Sequence, residues 1–454
     1  MLKLKLSWFQ FDNDITLKQT DRKSYKLMKI PESALKAVFI IRINLINIIL
    51  IMLTVILPSC KNIKKEPVAA SMVRARQSQK SEEKLSQKAL KICQNNIILD
   101  SHIDWPEFVL DNPEDISTQT AKGDFDLVRA RKGGLDAVLS VVYISPVFDV
   151  NKGRTMVDSM LKLIKYYPEA NPDKFALALT PGDVKRNFDK KLFSLIPCLE
   201  NGSPIDNDSE YLKYLKDQGI VYITLCHSKT NQISDSNFDT DRKWNGLSPS
   251  GVELLKEMNR LGIMIDISHS SDSTVSQAVR FSRAPVIASH SSCRYYVPGF
   301  ERNLPDDLIK AIAKKKGVVM VNFCTQFLDS VCNKNTAEIQ KILISRKLSY
   351  DSKEGSELIV EFGKIHSLVC DSKQVVDHIE HVIKVAGIDY VGLGSDFDGI
   401  GPLKPSDVPD VSGYPVIVSE LLRRGYSEKE IKKILSGNFL RVWNDVIEIA
   451  GSFN

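Results

Sequence analysis

The sequence predicts an α/β fold, a barrel of parallel strands that carries its chemistry at the strand ends, and three observations predict it. His102, His227, His269 and His290 each sit just past an apolar run of strand length. Two Ser-His-Ser-Ser units, around His269 and His290, end successive runs and lie twenty-one positions apart, which leaves room for one helix between them and makes a βαβ unit. A later run with internal glycines ends in Ser395-Asp396-Phe397-Asp398-Gly399. A barrel of parallel strands presents its site from the strand ends, so side chains distant in sequence converge there. The pattern points to an enzyme, and to one that binds metal.

The elements follow in order. Ile97-Ile98-Leu99 opens into Asp100-Ser101-His102-Ile103-Asp104, where an extended chain puts His102 and Asp104 on the same side so that imidazole and carboxylate can grip one cation. Residues 194–199 are apolar apart from Ser194 and end in Glu200-Asn201-Gly202, a carboxylate before turn residues that can bridge two ions through its two oxygens. Residues 221–225 lead to Cys226-His227-Ser228, residues 263–267 to Ser268-His269, and residues 285–288 to Ser289-His290, with a helix expected from Asp272 to Phe281. Residues 390–394 contain glycines that suggest close backbone approach, and Asp396 just beyond offers a general acid or base. Taken singly, each strand-end histidine or carboxylate reads more simply as a satisfied structural group or a solvated loop residue. Six such ends in one chain do not.

These residues resemble a known family. Asp100-Ser101-His102-Ile103-Asp104, the Leu-Glu-Asn-Gly around Glu200, Tyr-Ile-Thr-Leu-Cys-His at 222–227, Asp-Ile-Ser-His ending at His269, Ala-Ser-His-Ser-Ser around His290, Glu-Arg-Asn-Leu-Pro-Asp-Asp at 301–307 and Gly-Leu-Gly-Ser-Asp-Phe-Asp-Gly at 392–399 look like the membrane dipeptidases, or renal-type dipeptidases. The resemblance runs from about Ile97 to Val442. It implies a (β/α)8 TIM-type barrel of the metal-dependent hydrolase kind with two Zn2+ ions, His102 and Asp104 on one, His269 and His290 on the other, and Glu200 bridging both. It also implies that His227 contacts the substrate near the scissile carbonyl, that Arg302 holds the substrate carboxylate and that Asp396 binds substrate and handles protons.

The chemistry is coherent with these residue types. Two cations sharing a carboxylate sit about 3.5 to 4 Å apart and hold an acidified water between them, a metal-bridging hydroxide that can attack a peptide carbonyl. His227 would stabilise the oxyanion and Asp396 would pass a proton to the departing amine. Arg302 suits a carboxylate because its planar fork makes two parallel hydrogen bonds, which favours dipeptides with a free C-terminus. Two departures from the family pattern are Asn201 where some members have a second glycine, and Cys324 where an aromatic residue is common. Residues 329–358 match nothing in the pattern and are assigned no role.

The first 60 residues differ in kind. Leu45 to Leu57 form an apolar stretch of signal-peptide length, too short for a comfortable membrane span of about 20 residues. Leu57-Pro58-Ser59-Cys60 resembles a bacterial lipobox, with Cys60 as the lipidated residue and mature N-terminus; a signal anchor extended through residues 38–41 is the competing reading. The organisation expected is therefore a leader over 1–60, a tether over 61–90, with Ala69 to Lys91 running into a first helix, and a catalytic barrel over 91–454. Residues 1–60 hold nine Lys or Arg against four Asp or Glu, the whole formal excess of +5, and the remainder holds 52 of each. The basic balance belongs to the leader and gives no case for a nucleic-acid partner. The expectation is an exported, membrane-anchored lipoprotein with its catalytic domain outside the cytoplasm; a homodimer is left open.

Of eight cysteines, the seven other than Cys60 show no paired spacing and no disulfide framework. Cys226 and Cys293 flank site histidines, but the His and carboxylate set already fills two ions. His366, His378 and His381 fall on helical segments and suit packing or solvent. Two alternatives stand beside the dipeptidase reading. One is a related binuclear-zinc amidohydrolase on another small amide; the other is a binding lipoprotein without turnover, against which the complete set of Glu200, Asp396 and both Ser-His-Ser-Ser units argues.

Overall fold

The computed structural model describes residues 68–350 and 352–453. The leader, Cys60 and the boundary at residue 60 lie outside the described residues. The chain divides into a large unit from Lys84 to Asn454 and a smaller one ending at Glu83.

Nine strands are described: β1 Leu99–Ile103, β2 Ala137–Tyr143, β3 Phe175–Leu177, β4 Phe193–Glu200, β5 Tyr222–Thr224, β6 Met264–Asp266, β7 Val286–Ala288, β8 Val318–Val321 and β9 Val391–Leu393. All neighbouring pairs are parallel, and eight strands follow the order β1-β2-β4-β5-β6-β7-β8-β9. The circle is brought round by the parallel bridge Ile103 to Phe397 and by two backbone bonds, Asp104 N to Phe397 O and Asp396 N to His102 O, both 2.9 Å. The result is a nearly closed eight-stranded parallel barrel with helices between successive strands, consistent with the (β/α)8 fold. β3 is an extra strand that pairs the first residues of β4.

Strand parity decides what faces inward, because successive side chains point to opposite faces. Leu139 and Val141 of β2, Ile196 and Cys198 of β4, Met264, Ile287 and Met320 form one buried apolar group, joined by Phe439, Val442 and Trp443 of the helix Asn438–Gly451. Their neighbours Val138, Val142, Leu195, Leu199, Ile223, Ile265 and Val319 belong to the other group, with Val157, Leu255, Val275 and Ile309 of the surrounding helices. The parity that sends Ile196 and Cys198 inward also sends Glu200 inward, and it does the same for Tyr222, Thr224 and Asp266.

Several sequence expectations need correction or refinement. The first strand is not 97–99 but Leu99–Ile103, so Asp100, Ser101 and His102 lie within the ladder. The strand carries these polar residues because each finds buried partners: Asp100 accepts from His102 N and Ser395 N, both 3.0 Å, and from the Tyr414 hydroxyl. β1 also bulges between Asp100 and Ile103, so His102 and Asp104 are not joined by the plain extended segment expected. The helix Asp272–Phe281 forms as expected, with the Ser271 side chain capping Thr274 N. Ala69 to Lys91, rich in Lys, Gln, Ser and Glu, lies inside one helix, Val68–Asn95; Lys, Gln and Glu are good helix formers.

His366 is not helical, since the helix Lys353–Gly363 has ended before it. His378 and His381 are helical and packed: His378 Nδ1 accepts from Cys293 N at 2.9 Å and its Nε2 meets Leu328 O at 3.0 Å, while His381 Nε2 meets Asp306 at 2.7 Å. Residues 330–345 and 353–363, given no role from sequence, are two helices between β8 and the helix Ser372–Ala386. No helix of the described residues is long and apolar enough to cross a membrane.

Candidate metal centre

The candidate metal-ligating and proton-transfer residues sit at one end of the barrel. His102 is in β1 and Asp104 immediately precedes the next helix; Glu200 is the last residue of β4; His227, His269, His290 and Asp396 lie two or three positions past β5, β6, β7 and β9. All are buried to within 2% of full burial. Burial of this many ionisable groups costs free energy unless they are paired or bind a cation.

Glu200 is the centre. Its Oε2 lies 3.6 Å from His102 Nε2, which is in turn 3.7 Å from Asp104 Oδ2. Its Oε1 lies 3.3 Å from both His269 Nε2 and His290 Nε2. The two oxygens of one carboxylate therefore face two different sets of side chains. Asp396 Oδ1 approaches His102 Nε2 at 3.9 Å, and His227 joins Glu200 and His269 within metal-ligating distance of one another.

Local backbone geometry serves this convergence. His269 (φ 65°) and Asp396 (φ 68°) both adopt the left-handed conformation that side-chain-bearing residues rarely take. Gly399 is needed where it stands: a Cβ there would come within 2.5 Å of Asp104 Oδ2 and 2.7 Å of Asp396 Oδ1. Three serines of the two Ser-His-Ser-Ser units brace the surrounding backbone and side chains: Ser268 Oγ accepts from His290 N at 3.1 Å, Ser271 caps its helix, and Ser291 Oγ accepts from Arg302 Nη1 at 3.0 Å.

The donor set fits metal ions. His102 Nε2, both oxygens of Asp104, both of Glu200 and Asp396 Oδ1 are buried with no hydrogen-bond partner among the described residues, a rare condition for native polar atoms. Left to themselves the carboxyl groups cannot all ionise. Burial and the nearby Glu200 push Asp104 well above the usual carboxylate range, and burial pushes Asp396 up to about 6. Burial opposes ionisation of Glu200 too, but His102 and His227 outweigh it and hold Glu200 well below its ordinary value. Converging carboxylates and imidazoles of this kind are what a divalent cation stabilises.

Around the cluster, Arg302 is 2% exposed and donates to His290 O at 2.7 Å and to Ser291, with Nη2 3.2 Å from His269 Nε2 and Phe327 under its guanidinium. Its Nε makes no hydrogen bond. His227 packs against Tyr143 and His269, and burial lowers its pKa to about 4. Cys226 and Cys293 point their thiols at backbone carbonyls, Cys226 Sγ at Asp235 O and His269 O and Cys293 Sγ at His378 O, all at 3.6 Å; burial raises both thiols, that of Cys226 to about 12.

The sequence reading missed a supporting layer. Asn322 Nδ2 donates to Asp396 Oδ2 at 2.8 Å, Tyr222 OH meets His102 Nδ1 at 2.7 Å, and Asp266 supports Ser289 beside His290. The available signal was a charged residue inside an apolar strand run, Asp266, which must find buried donors.

Known proteins resemble the chain over the same span. The model of the membrane dipeptidase family, peptidase family M19, matches residues 86–454. Dipeptidase verJ of Clonostachys rogersoniana is 30% identical over 378 residues, 80% of this chain and 87% of its own length. Dipeptidase tcpJ of Claviceps purpurea is 30% identical over 367 residues, 78% of each chain. Among solved structures, the probable dipeptidase PvdM from Pseudomonas aeruginosa aligns with a TM-score of 0.72 at 25% identity, covering 81% of this chain and 99% of that one.

Proposed function

The chain belongs to the membrane dipeptidase family, peptidase family M19, and is a metallopeptidase hydrolase; from that premise we propose that it cleaves dipeptides bearing a free C-terminal carboxylate with the help of two zinc ions. The observation that carries the proposal is the division of Glu200, whose Oε2 faces His102 and whose Oε1 faces His269 and His290. His102 and Asp104 would hold one ion and His269 and His290 the other, with Glu200 shared. Bound there, zinc supplies Lewis acidity and brings the pKa of water toward neutrality.

The chain's own residues do the rest. Asp396, anchored through Oδ2 by Asn322, keeps Oδ1 toward the centre of the site, where it takes the proton of the attacking water and gives it to the departing amine. Neutral His227 offers an N–H to the carbonyl oxygen as charge develops on it. Arg302 retains its Nε–H for the substrate carboxylate, and its remaining contacts hold the guanidinium in place.

The test is hydrolysis of L,L and L,D dipeptides, their C-terminal amides and N-acylated amino acids, with and without zinc. Zinc-dependent cleavage of free dipeptides and not of the amides is the expected outcome. Preference for the acylated amino acids would transfer the site to the wider amidohydrolase reading, and zinc binding without any turnover would leave a binding protein. Export through the leader and lipidation at Cys60 belong to the same proposal; a Cys60→Ala variant is expected to leave the membrane fraction, and its retention there would contradict the anchor.

A further inference from the structure

Behind two of the metal-facing imidazoles stand hydroxyl groups whose single protons are already committed. Tyr222 OH lies 3.0 Å from Ser101 O and 2.7 Å from His102 Nδ1. A backbone carbonyl only accepts, so the phenol proton goes to Ser101 O, and His102 must donate from Nδ1. Its Nε2 is then a bare lone pair, and that is the atom 3.6 Å from Glu200 Oε2.

The second arrangement repeats this with a carboxylate at its end. Asp266 is fully buried and accepts from Ser268 N at 3.1 Å, Ser289 N at 2.8 Å, Thr224 Oγ1 at 2.5 Å and Ser289 Oγ at 2.6 Å. Two backbone donors and two hydroxyls fill both of its oxygens as acceptors. Ser289 Oγ is also 2.7 Å from His290 Nδ1, and 3.4 Å from Ser268 Oγ, its longest contact. With the serine proton given to Asp266, His290 donates from Nδ1, and its Nε2 faces Glu200 Oε1 with the lone pair outward. That lone pair stands 2.8 Å from His269 Nε2, itself 3.2 Å from an Arg302 N–H donor, and such a facing pair of acceptors is relieved by a cation between them.

We propose that Tyr222, and Asp266 acting through Ser289, are positioning residues that fix His102 and His290 as Nδ1–H tautomers and so present Nε2 of each to a metal ion. The inference rests on His102 and His290 being metal ligands, and it deepens that reading by naming what selects the ligating nitrogen. Outer partners of this kind orient ligand imidazoles and raise their basicity.

The test is Zn2+ affinity of the full chain, measured by competition with a chelator, with apo-protein folding followed by thermal unfolding. Tyr222→Phe and Ser289→Ala each weaken Zn2+ binding by about 10- to 100-fold. Thr224→Val removes an equally short bond to Asp266 but keeps both hydroxyls that meet an imidazole, Tyr222 OH and Ser289 Oγ, so it lowers stability and leaves Zn2+ affinity at the parent value. Nitrogen NMR of labelled histidines gives Nδ1–H for His102 and His290. Unchanged affinity in both hydroxyl variants, an equal loss in Thr224→Val, or an Nε2–H signature overturns the proposal alone; a parent chain that binds no Zn2+ overturns the ligand reading and the proposal with it. If Ser289→Ala fails to fold, Tyr222→Phe, which deletes one oxygen atom, decides.

Discussion

The two halves of β4 are built by opposite rules. In β4, Ile196 and Cys198 are fully buried among apolar neighbours, whereas Glu200, at the end of the same strand and with the same inward parity, is equally buried and has no hydrogen-bond partner on either oxygen. The strand interiors carry apolar packing. The mouth carries buried charge and left-handed backbone at His269 and Asp396. Stability contributed by the first half holds the second in an arrangement it would not adopt alone. The difference teaches that burial has two meanings in one strand, and that orphaned polar atoms distinguish them.

Substitutions within and around β4 separate these meanings. Glu200→Gln has the largest effect: metal binding and hydrolysis are lost, and the metal-free protein unfolds no later than the parent, because His102 and His227 favour the ionised carboxylate that Gln replaces. Unchanged metal content in that variant would remove Glu200 from the ligand set. Asp396→Asn lowers kcat by about 10²- to 10⁴-fold with metal content retained, measured on zinc-loaded protein; an unchanged kcat would remove Asp396 from proton transfer.

Ile196→Ala inverts the pattern. It destabilises by about 2–5 kcal/mol through lost burial and a residual cavity, seen in denaturant unfolding, with kcat of the folded fraction unchanged. A catalytic defect as large as that of Asp396→Asn would break the division between strand interior and mouth.

The smallest effect concerns pH. His378, in the helix Ser372–Ala386, has its pKa lowered by burial from 6.5 to about 4. As pH falls below 6.5 the unfolded chain takes up the proton first, so stability is lost between pH 6.5 and 4, at no more than roughly 1.4 kcal/mol per pH unit. Denaturation across that window, compared with His378→Gln, should show a steeper acid loss in the parent. Equal slopes would assign the loss to other groups.

Much of the mouth was legible in the sequence because its residues follow apolar runs and carry chemistry that interrupts them. His227, His269, His290 and Asp396 stand beyond strands close to the runs that pointed to them, and the helix between the Ser-His-Ser-Ser units spans the expected residues. What stayed hidden is what stands behind the site. Tyr222 and Asp266 sit inside strands, where Tyr222 passed as an aromatic strand former and Asp266 as a lapse in an apolar run. β2 escaped notice because it ends without a metal-type side chain, although its Tyr143 packs on His227. The Asp100 to Asp104 segment was misplaced because buried polar residues were read as the end of a strand when their partners, Ser395 and Tyr414, lie 295 and 314 residues away in sequence.

The most direct test is elemental analysis of the purified full chain alongside dipeptide hydrolysis by the same sample, before and after chelation and after zinc is restored. Two ions per chain, with hydrolysis lost on chelation and regained with zinc, is the predicted result. Dipeptide cleavage that survives complete removal of metal would contradict the assignment of Glu200 and its histidines as the centre of the chemistry.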